Sequence, residues 1–149
     1  MNKKQGFTLV EIMIVVSIIA LMMLISVPNL LKARLAANES AAIAALKTIS
    51  SAAHTFRAGN PGYPSDLVEL HEELPPYIDS VLASGLKNGY RFSLEGTDAD
   101  SRGYWQGFLA QAEPVSFGFT GNRFFSLDQS GITRYGLTAN LSIVGNPVE

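Results

Sequence analysis

A long apolar run near the amino terminus constrains this chain more than any other feature. Between Ile12 and Val27 only Ser17 and Ser26 interrupt a series of Ile, Val, Leu, Met and Ala residues. A helix of about 20 apolar residues is long enough to cross a bilayer, so the run predicts a membrane-spanning helix. Glu11 stands directly before it. Because a carboxylate in a membrane span costs about 2.5–3.5 kcal/mol at mid-membrane, Glu11 is either a tolerated charge at the end of a signal anchor or a functional residue that needs a partner.

The leader before this run is unlike that of an ordinary secretory signal. It reads Met1-Asn2-Lys3-Lys4-Gln5-Gly6, which is short, basic and ends in glycine. A secretory signal carries its apolar stretch before the cleavage site and has small residues at the cut. Here the small residue Gly6 precedes the apolar stretch, so cleavage after it would leave the membrane helix on the mature protein.

The segment from Lys3 to Val16 resembles the start of the type IV prepilins and of the type II secretion pseudopilins. It reads Lys-Lys-Gln-Gly-Phe-Thr-Leu-Val-Glu-Ile-Met-Ile-Val-Val. A basic leader, a glycine, a phenylalanine, a glutamate four residues later and an apolar run coincide in it. The resemblance is strong in this amino-terminal segment. Over the rest of the chain it is limited to the general arrangement of a long helix followed by a small head.

The resemblance implies a processing site and an assembly site. In this family a membrane aspartyl peptidase cuts after the glycine that matches Gly6 and methylates the new amine, here on Phe7. The glutamate that matches Glu11 meets the amino terminus of a neighbouring subunit during filament assembly. An α-amino group with a pKa near 8 is mostly cationic at neutral pH and can neutralise a carboxylate. Since an unpaired buried charge is far worse than a pair, we expect Glu11 and Phe7 to set the register between subunits.

These features predict four segments along the chain. Residues 1–6 form a leader that is removed, 7–28 a transmembrane and assembly helix, 29–58 an amphipathic helix that continues into the head, and 59–149 a globular head. Pro28 lies inside the long helix and cannot donate a hydrogen bond to the carbonyl four residues earlier. We therefore expect a helix kink or local loosening there, with a simple break between two helices as the alternative.

The amphipathic part of the helix has one apolar face. Its apolar residues recur at alternating spacings of four and three, which is typical of a helix that packs on one side: Ala42, Leu46, Ile49, Ala53 and Phe56. Polar residues occupy the other side: Lys47, Ser51 and His54. Gly59 and the turn at 60–62 end the helix.

The head is predicted to contain one short helix and an antiparallel sheet. Ser65 or Asp66 would cap a helix that runs to about Glu73, before Pro75-Pro76. Strands are expected at 90–95, 104–112, 123–128 and 132–135, with a turn at 128–131 and an irregular or edge segment after Leu137. The predicted fold class is therefore α+β and pilin-like, with the long helix packed on a small antiparallel sheet.

Motifs of enzymes and metal sites are missing from the sequence. It has no nucleophile elbow, no phosphate-binding loop and no cysteine. His54 and His71 have no second histidine at metal-binding spacing, so both are expected to be solvated surface residues. Asp98 and Asp100 resemble the opening of a calcium loop, but the glycine and the closing glutamate of an EF-hand are missing. We expect a polar turn there, no catalytic residues, no metal and no cofactor.

Charge argues against nucleic acid as a ligand. Beyond Ala58 the chain has 5 Lys and Arg against 11 Asp and Glu, and phosphate binding depends on basic residues. One set of residues could in principle form a stacking platform for DNA: the aromatic residues Trp105, Phe117, Phe119, Phe124, Phe125 and Tyr135 with Arg102, Arg123 and Arg134. Subunit contacts or adhesion suit an acidic head better. The absence of cysteine departs from the many pilins that close a disulfide.

Three functions remain, and the first two share the same amino-terminal helix. The first is a structural subunit of a type IV pilus, and the alternative is a pseudopilin of a type II secretion system acting in protein export. A membrane-anchored enzyme or binding module has no supporting site. The implied partners are further copies in a helical homopolymer, related minor pilins, the prepilin peptidase and methylase, the inner-membrane assembly machinery and, before assembly, lipid. The precursor is expected to cross the inner membrane once with its head outside the cytoplasm, and the mature chain to reach an extracellular pilus or a periplasmic pseudopilus.

Overall fold

The structure is a computed structural model that describes residues 6–137 and 146–148. The described helices are α1 (Leu9–Gly59), α2 (Leu67–Glu72) and α3 (Ser80–Ala83). The described strands are β1 (Leu86–Lys87), β2 (Tyr90–Ala99), β3 (Trp105–Pro114), β4 (Phe124–Asp128), β5 (Thr133–Gly136) and β6 (Asn146–Pro147). The long helix and the antiparallel sheet confirm the predicted α+β, pilin-like class. Most of the predicted leader, residues 1–5, lies outside the described residues.

The chain divides into an amino-terminal unit, residues 1–34, and a carboxy-terminal unit, residues 35–149. Within the described part of the chain, α1 is the one helix long and apolar enough to cross a membrane by length and composition. It continues through Pro28 without interruption, so the expected alternative of a break between two helices is wrong. A proline lacks the N–H that the carbonyl four residues earlier would accept, and a kink at Pro28 stays a prediction.

In the carboxy-terminal unit the strands form one antiparallel sheet in the order β1-β2-β3-β4-β5-β6. The register places Leu94 opposite Ala110 and Ala110 opposite Leu127. Because side chains alternate across a strand, one face of the sheet collects the apolar residues. The predicted apolar face of α1 is buried in the same cluster as Phe92, Phe108 and Phe125, which confirms that the helix packs on the sheet.

Local capping explains the first short helix. Of the two predicted cap residues it is Asp66 that caps α2, with its carboxylate accepting a hydrogen bond from Glu69 N at 2.9 Å. Ser65 instead donates its backbone N–H to the Glu69 carboxylate at 2.6 Å. The helix ends at Glu72, one residue before the expected end.

Several elements differ from the sequence-based expectation. The strand expected at 104–112 runs from Trp105 to Pro114, and the two strands of the predicted hairpin each begin one residue later than expected. The segment after Leu137 was expected to be irregular or an edge segment. It contains β6, which lies at the edge of the sheet. Helix α3 and strand β1 had no prediction, because two to four residues are too few to carry a periodic signal.

Candidate assembly site

The start of α1 is closed by a reciprocal pair of hydrogen bonds between Thr8 and Glu11. The Thr8 hydroxyl accepts from Glu11 N at 3.2 Å, and the Glu11 carboxylate accepts from Thr8 N at 3.5 Å. This is a capping box, in which two otherwise unpaired backbone donors of the first turn are satisfied. The negative charge of Glu11 also lies at the positive end of the helix dipole.

The charge of Glu11 has no cationic partner among the described residues. Glu11 makes its hydrogen bonds with Thr8 and not with Phe7. Phe7 itself is 81% exposed. A Cβ added to Gly6 would meet no atom within 4 Å, so the fold itself makes no demand for glycine at that position.

The amino-terminal unit presents an uncovered apolar surface. Every large apolar side chain from Leu9 to Leu31 is exposed, between 46% for Ile19 and 76% for Leu9. Ser17, inside this segment, donates its hydroxyl to the Met13 carbonyl at 2.7 Å, so its polar group is satisfied within the helix. A surface this apolar requires lipid or other apolar helices around it.

The carboxy-terminal unit contains a second carboxylate of structural importance, Glu39. This residue is 7% exposed. Its carboxylate accepts hydrogen bonds from Asn122 N at 2.9 Å and from Arg123 Nε at 2.8 Å, and a second guanidinium nitrogen of Arg123 lies 2.7 Å away. The guanidinium also lies over the rings of Phe125 and Tyr135, 5.4 and 5.3 Å from their centroids. Glu39 therefore ties α1 to the segment that leads into β4.

Two further residues complete this connection. Asn38 donates from its side chain to Thr120 O at 2.9 Å, and the Tyr90 hydroxyl donates to Arg123 O at 2.9 Å. Burial of Tyr90, reinforced by the negative charge of Glu39, raises the pKa of its hydroxyl to about 12. The role of Glu39 is not predictable from the sequence, because an isolated acid on an amphipathic helix gives no signal of a partner 84 residues away.

Asp100, a candidate for metal binding, makes hydrogen bonds within its own turn. The Asp100 carboxylate accepts from the backbone N–H groups of Arg102 and Tyr104, at 2.8 and 3.0 Å, and these bonds lower the pKa of Asp100. The expected polar turn begins only at Asp100, whereas Asp98 lies within β2 and adopts a positive φ of 54° there. Across residues 6–137 and 146–148, no three potential metal ligands come together.

The two histidines differ from each other. His54 is exposed, as predicted, with its Nδ1 atom 3.2 Å from the Tyr63 hydroxyl. His71 is partly buried, with its Nδ1 atom 3.1 Å from Ile78 O. The expectation of a solvated surface residue is therefore wrong for His71, because the chain after α2 folds back against it.

The aromatic and basic residues that could have formed a DNA platform are only partly exposed. Phe125 is buried, and Trp105, Phe124 and Tyr135 are partly buried, whereas Phe117 and Phe119 are exposed. The guanidinium groups of Arg102 and Arg123 pair with carboxylates of Asp100 and Glu39. Paired guanidinium groups offer little to a phosphate backbone.

Comparison with known proteins identifies the family. Residues 1–27 match the prokaryotic N-terminal methylation motif. The chain is 36% identical over 94 residues to the type IV wide pilus major component PilA4 of Thermus thermophilus, covering 60% of this chain and 72% of that protein. It is 30% identical over 90 residues to the type II secretion system core protein G of Escherichia coli, covering 60% and 62% of the two chains. It is 32% identical over 100 residues to the type IV major pilin protein PilA of Myxococcus xanthus, covering 67% and 42%.

No solved structure matches the chain significantly. The motif, the long apolar helix, the antiparallel sheet and the relatives agree with one another. The chain therefore belongs to the superfamily of type IV prepilins and pseudopilins.

Proposed function

We propose that this protein is a structural subunit of a type IV pilus, anchored in the inner membrane by α1 before it joins a filament of further copies and related pilins. The observation that carries the proposal is the 36% identity to a pilus major component over 72% of that protein. The exposed apolar surface of the amino-terminal unit supports it, since such a surface suits lipid before assembly and neighbouring helices afterwards.

Apolar packing alone would leave the register of the subunits poorly defined. Lipid tails are as apolar as leucine, so helices gain little by moving from lipid to one another. Ile, Val and Leu side chains can also exchange partners at small cost when a helix slides. A charge pair, in contrast, forms at only one axial position of one helix relative to its neighbour. At any other position both charges would be unpaired in an apolar bundle, which is strongly unfavourable.

Glu11 and Phe7 are proposed to form that charge pair. Cleavage after Gly6 would free the Phe7 amine, which the peptidase then methylates, and this amine would meet the Glu11 carboxylate of a neighbouring subunit. In the single chain the Glu11 carboxylate is exposed and holds only the weak contact to Thr8 N at 3.5 Å. It therefore remains accessible to an incoming amine.

A pseudopilin of a type II secretion system is the second candidate. The match to the core protein G of Escherichia coli favours it, although this match covers 62% of that protein. Both classes would use the same helix, the same processing and the same charge pair, so the proposed mechanism at Glu11 holds for either.

Shearing of surface filaments separates the two candidates. If this protein is a pilus subunit, filaments sheared from intact cells contain it, and mass spectrometry shows a chain that begins with N-methylated Phe7. Deletion of the gene then removes those filaments and leaves protein export unchanged. Loss of export with no change in surface filaments would identify a pseudopilin instead, and assembled protein that still begins at Met1 would contradict both.

A further inference from the structure

We propose that a cavity in the carboxy-terminal unit binds a small organic molecule that carries one carboxylate on a short apolar body. The cavity has a volume of about 480 Å³, which is typical of small-molecule sites, at about 300–1,000 Å³. Its walls come from α1, from the chain that enters β5 and from Val148, the residue that follows β6. We call it the β5 cavity. The proposal goes beyond the pilus function and does not depend on it.

A buried hydroxyl in the wall of the β5 cavity lacks a hydrogen-bond partner. Thr133 lines the cavity and is only 6% exposed, and its hydroxyl oxygen has no partner among the residues that the structure describes. Thr133 pairs with Leu127 in the register of β4 and β5, so both side chains lie on the same face of the sheet. Leu127 belongs to the core cluster that includes the apolar face of α1. The Thr133 hydroxyl therefore lies on the helix-facing side, where a ligand oxygen can accept its hydrogen bond.

The opposite wall of the β5 cavity supplies one positive charge. Lys47 of α1 lines the cavity and is exposed, and across residues 6–137 and 146–148 it forms no ion pair. The Asp128 carboxylate, in the turn before β5, accepts from Ser130 N at 2.9 Å and is not part of the cavity wall. The Lys47 ammonium, which donates hydrogen bonds and accepts none, is therefore available to an anionic ligand.

The remaining walls of the β5 cavity suit an apolar body. Ile43, Ile132 and Val148 contribute aliphatic side chains to them. Ser40 also lines the cavity, but its hydroxyl already donates to Ala36 O at 2.9 Å. An apolar group placed against the aliphatic side chains would be removed from water, which favours binding.

Backbone hydrogen bonds hold the walls of the β5 cavity in place. Val148 N donates to Thr133 O at 2.9 Å, and Gly131 N donates to Asp128 O at 3.0 Å in the turn before β5. Strand β6 pairs with β5 next to these contacts, with Pro147 opposite Arg134. Groups that are already held in place lose little entropy when a ligand binds, so the cavity is suited to a small ligand.

Charge and donor number favour a carboxylate over a phosphate group. A carboxylate carries one negative charge, which the Lys47 ammonium neutralises, and its two oxygens can accept from both Lys47 and Thr133. A phosphate monoester carries nearly two negative charges at neutral pH and is typically bound by arginine forks or by the amino terminus of a helix. None of the described residues that line the β5 cavity is an arginine.

Solution NMR of the full-length protein in detergent micelles tests the inference, with phenylacetate as the probe and 2-phenylethanol as its uncharged counterpart. On titration with phenylacetate we expect saturable shifts of the methyl signals of Ile43, Ile132 and Val148. Binding of 2-phenylethanol should be weaker by about tenfold or more, because it lacks the charge that strengthens the hydrogen bonds. Equal affinities for the two probes, no saturable shift with phenylacetate, or shifts confined to residues 9–31 would each overturn the inference.

Substitutions of the two polar groups supply a second readout. Lys47→Gln and Thr133→Val should each lower the affinity for phenylacetate by about tenfold or more. Thr133→Val should not lower the midpoint of denaturant unfolding, because it replaces a buried hydroxyl that has no partner with a methyl group of similar size. Lys32→Gln is the matched control, since Lys32 is an exposed lysine of the same helix outside the cavity wall, and it should leave the affinity unchanged. Unchanged affinity in either cavity variant, an equal loss in the control, or a lower unfolding midpoint for Thr133→Val would contradict the inference.

Discussion

The Glu11 carboxylate accepts a hydrogen bond from the backbone of Thr8, while the Thr8 hydroxyl accepts one from the backbone of Glu11. The sequence Thr-Leu-Val-Glu thus caps the helix that anchors the protein. The same carboxylate is the group proposed to bind the amine of a neighbouring subunit. Two separable roles are therefore assigned to Glu11: its hydrogen-bonding geometry caps its own helix, and its charge is proposed to pair with another chain.

Processing is predicted to depend on the size of residue 6 and not on folding. A Cβ at Gly6 meets nothing within 4 Å, so replacement of Gly6 with a bulky residue such as Leu should leave the fold unchanged. We expect uncleaved precursor to accumulate in the membrane, visible as a slower band on immunoblots. Normal cleavage of Gly6→Leu would contradict a processing site at this position.

The Glu39 carboxylate is predicted to stabilise the carboxy-terminal unit. Glu39→Ala leaves the Arg123 guanidinium and the Asn122 N–H without their partner, although the side chain of Arg123 is 36% exposed and can bind water instead. We expect the free energy of unfolding to fall by about 1–3 kcal/mol, measured by denaturant titration.

An exposed ion pair provides the control for Glu39. Lys87 lies 2.9 Å from Asp79, and pairs on the surface contribute little because water screens them. Lys87→Ala should therefore change the unfolding midpoint much less than Glu39→Ala. Equal effects of the two substitutions would show that burial of Glu39 is not what matters.

Alkaline pH is predicted to destabilise the protein through Tyr90. Its hydroxyl has a pKa of about 12 in the folded protein, against about 10 in an unfolded chain. Between pH 10 and 12 the folded state keeps a proton that the unfolded state has lost. The contribution of Tyr90 to the free energy of unfolding is therefore complete below pH 10. It falls by about 1.4 kcal/mol per pH unit as the pH rises toward 12. Tyr90→Phe should lower stability at neutral pH but show a shallower decline over this range. An identical slope in the variant would contradict the assignment.

Removal of the apolar segment is predicted to give a soluble fragment. A chain that begins at Lys32 lacks the exposed apolar residues up to Leu31 and keeps the buried face of α1. We expect it to be monomeric by gel filtration and to bind DNA only weakly at physiological salt. Sub-micromolar, salt-resistant DNA affinity would contradict the second expectation.

Periodic and local signals were enough to predict much of this fold. The spacing of Ala42, Leu46 and Ile49 identified the face of α1 that packs on the sheet. The polar pair Ser65 and Asp66 marked the start of α2, and the structure shows that Asp66 is the cap. Strand alternation around Phe92 identified β2. Each of these signals arises within one element, so a single sequence reveals it.

Features that depend on distant contacts could not be predicted in the same way. Glu39 and Arg123 are 84 residues apart, and neither residue differs locally from an ordinary surface charge. The partial burial of His71 depends on the return of the chain to Ile78. The Thr8–Glu11 capping box is visible in the sequence, but both predictions for Glu11 concern its charge, either tolerated at the end of an anchor or paired with another subunit.

Filament yield from Glu11→Gln tests the central claim most directly. Glutamine retains the capping box with Thr8 but removes the charge, whereas Thr8→Ala retains the charge and removes half of the cap. If Glu11 acts through its charge, Glu11→Gln and Glu11→Ala should insert in the membrane and be cleaved after Gly6, yet assemble poorly. Glu11→Asp should give an intermediate filament yield, because its charge remains on a shorter side chain. Thr8→Ala should assemble well. Sheared filaments of normal yield and length from Glu11→Gln would contradict the account and show that apolar packing alone sets the register.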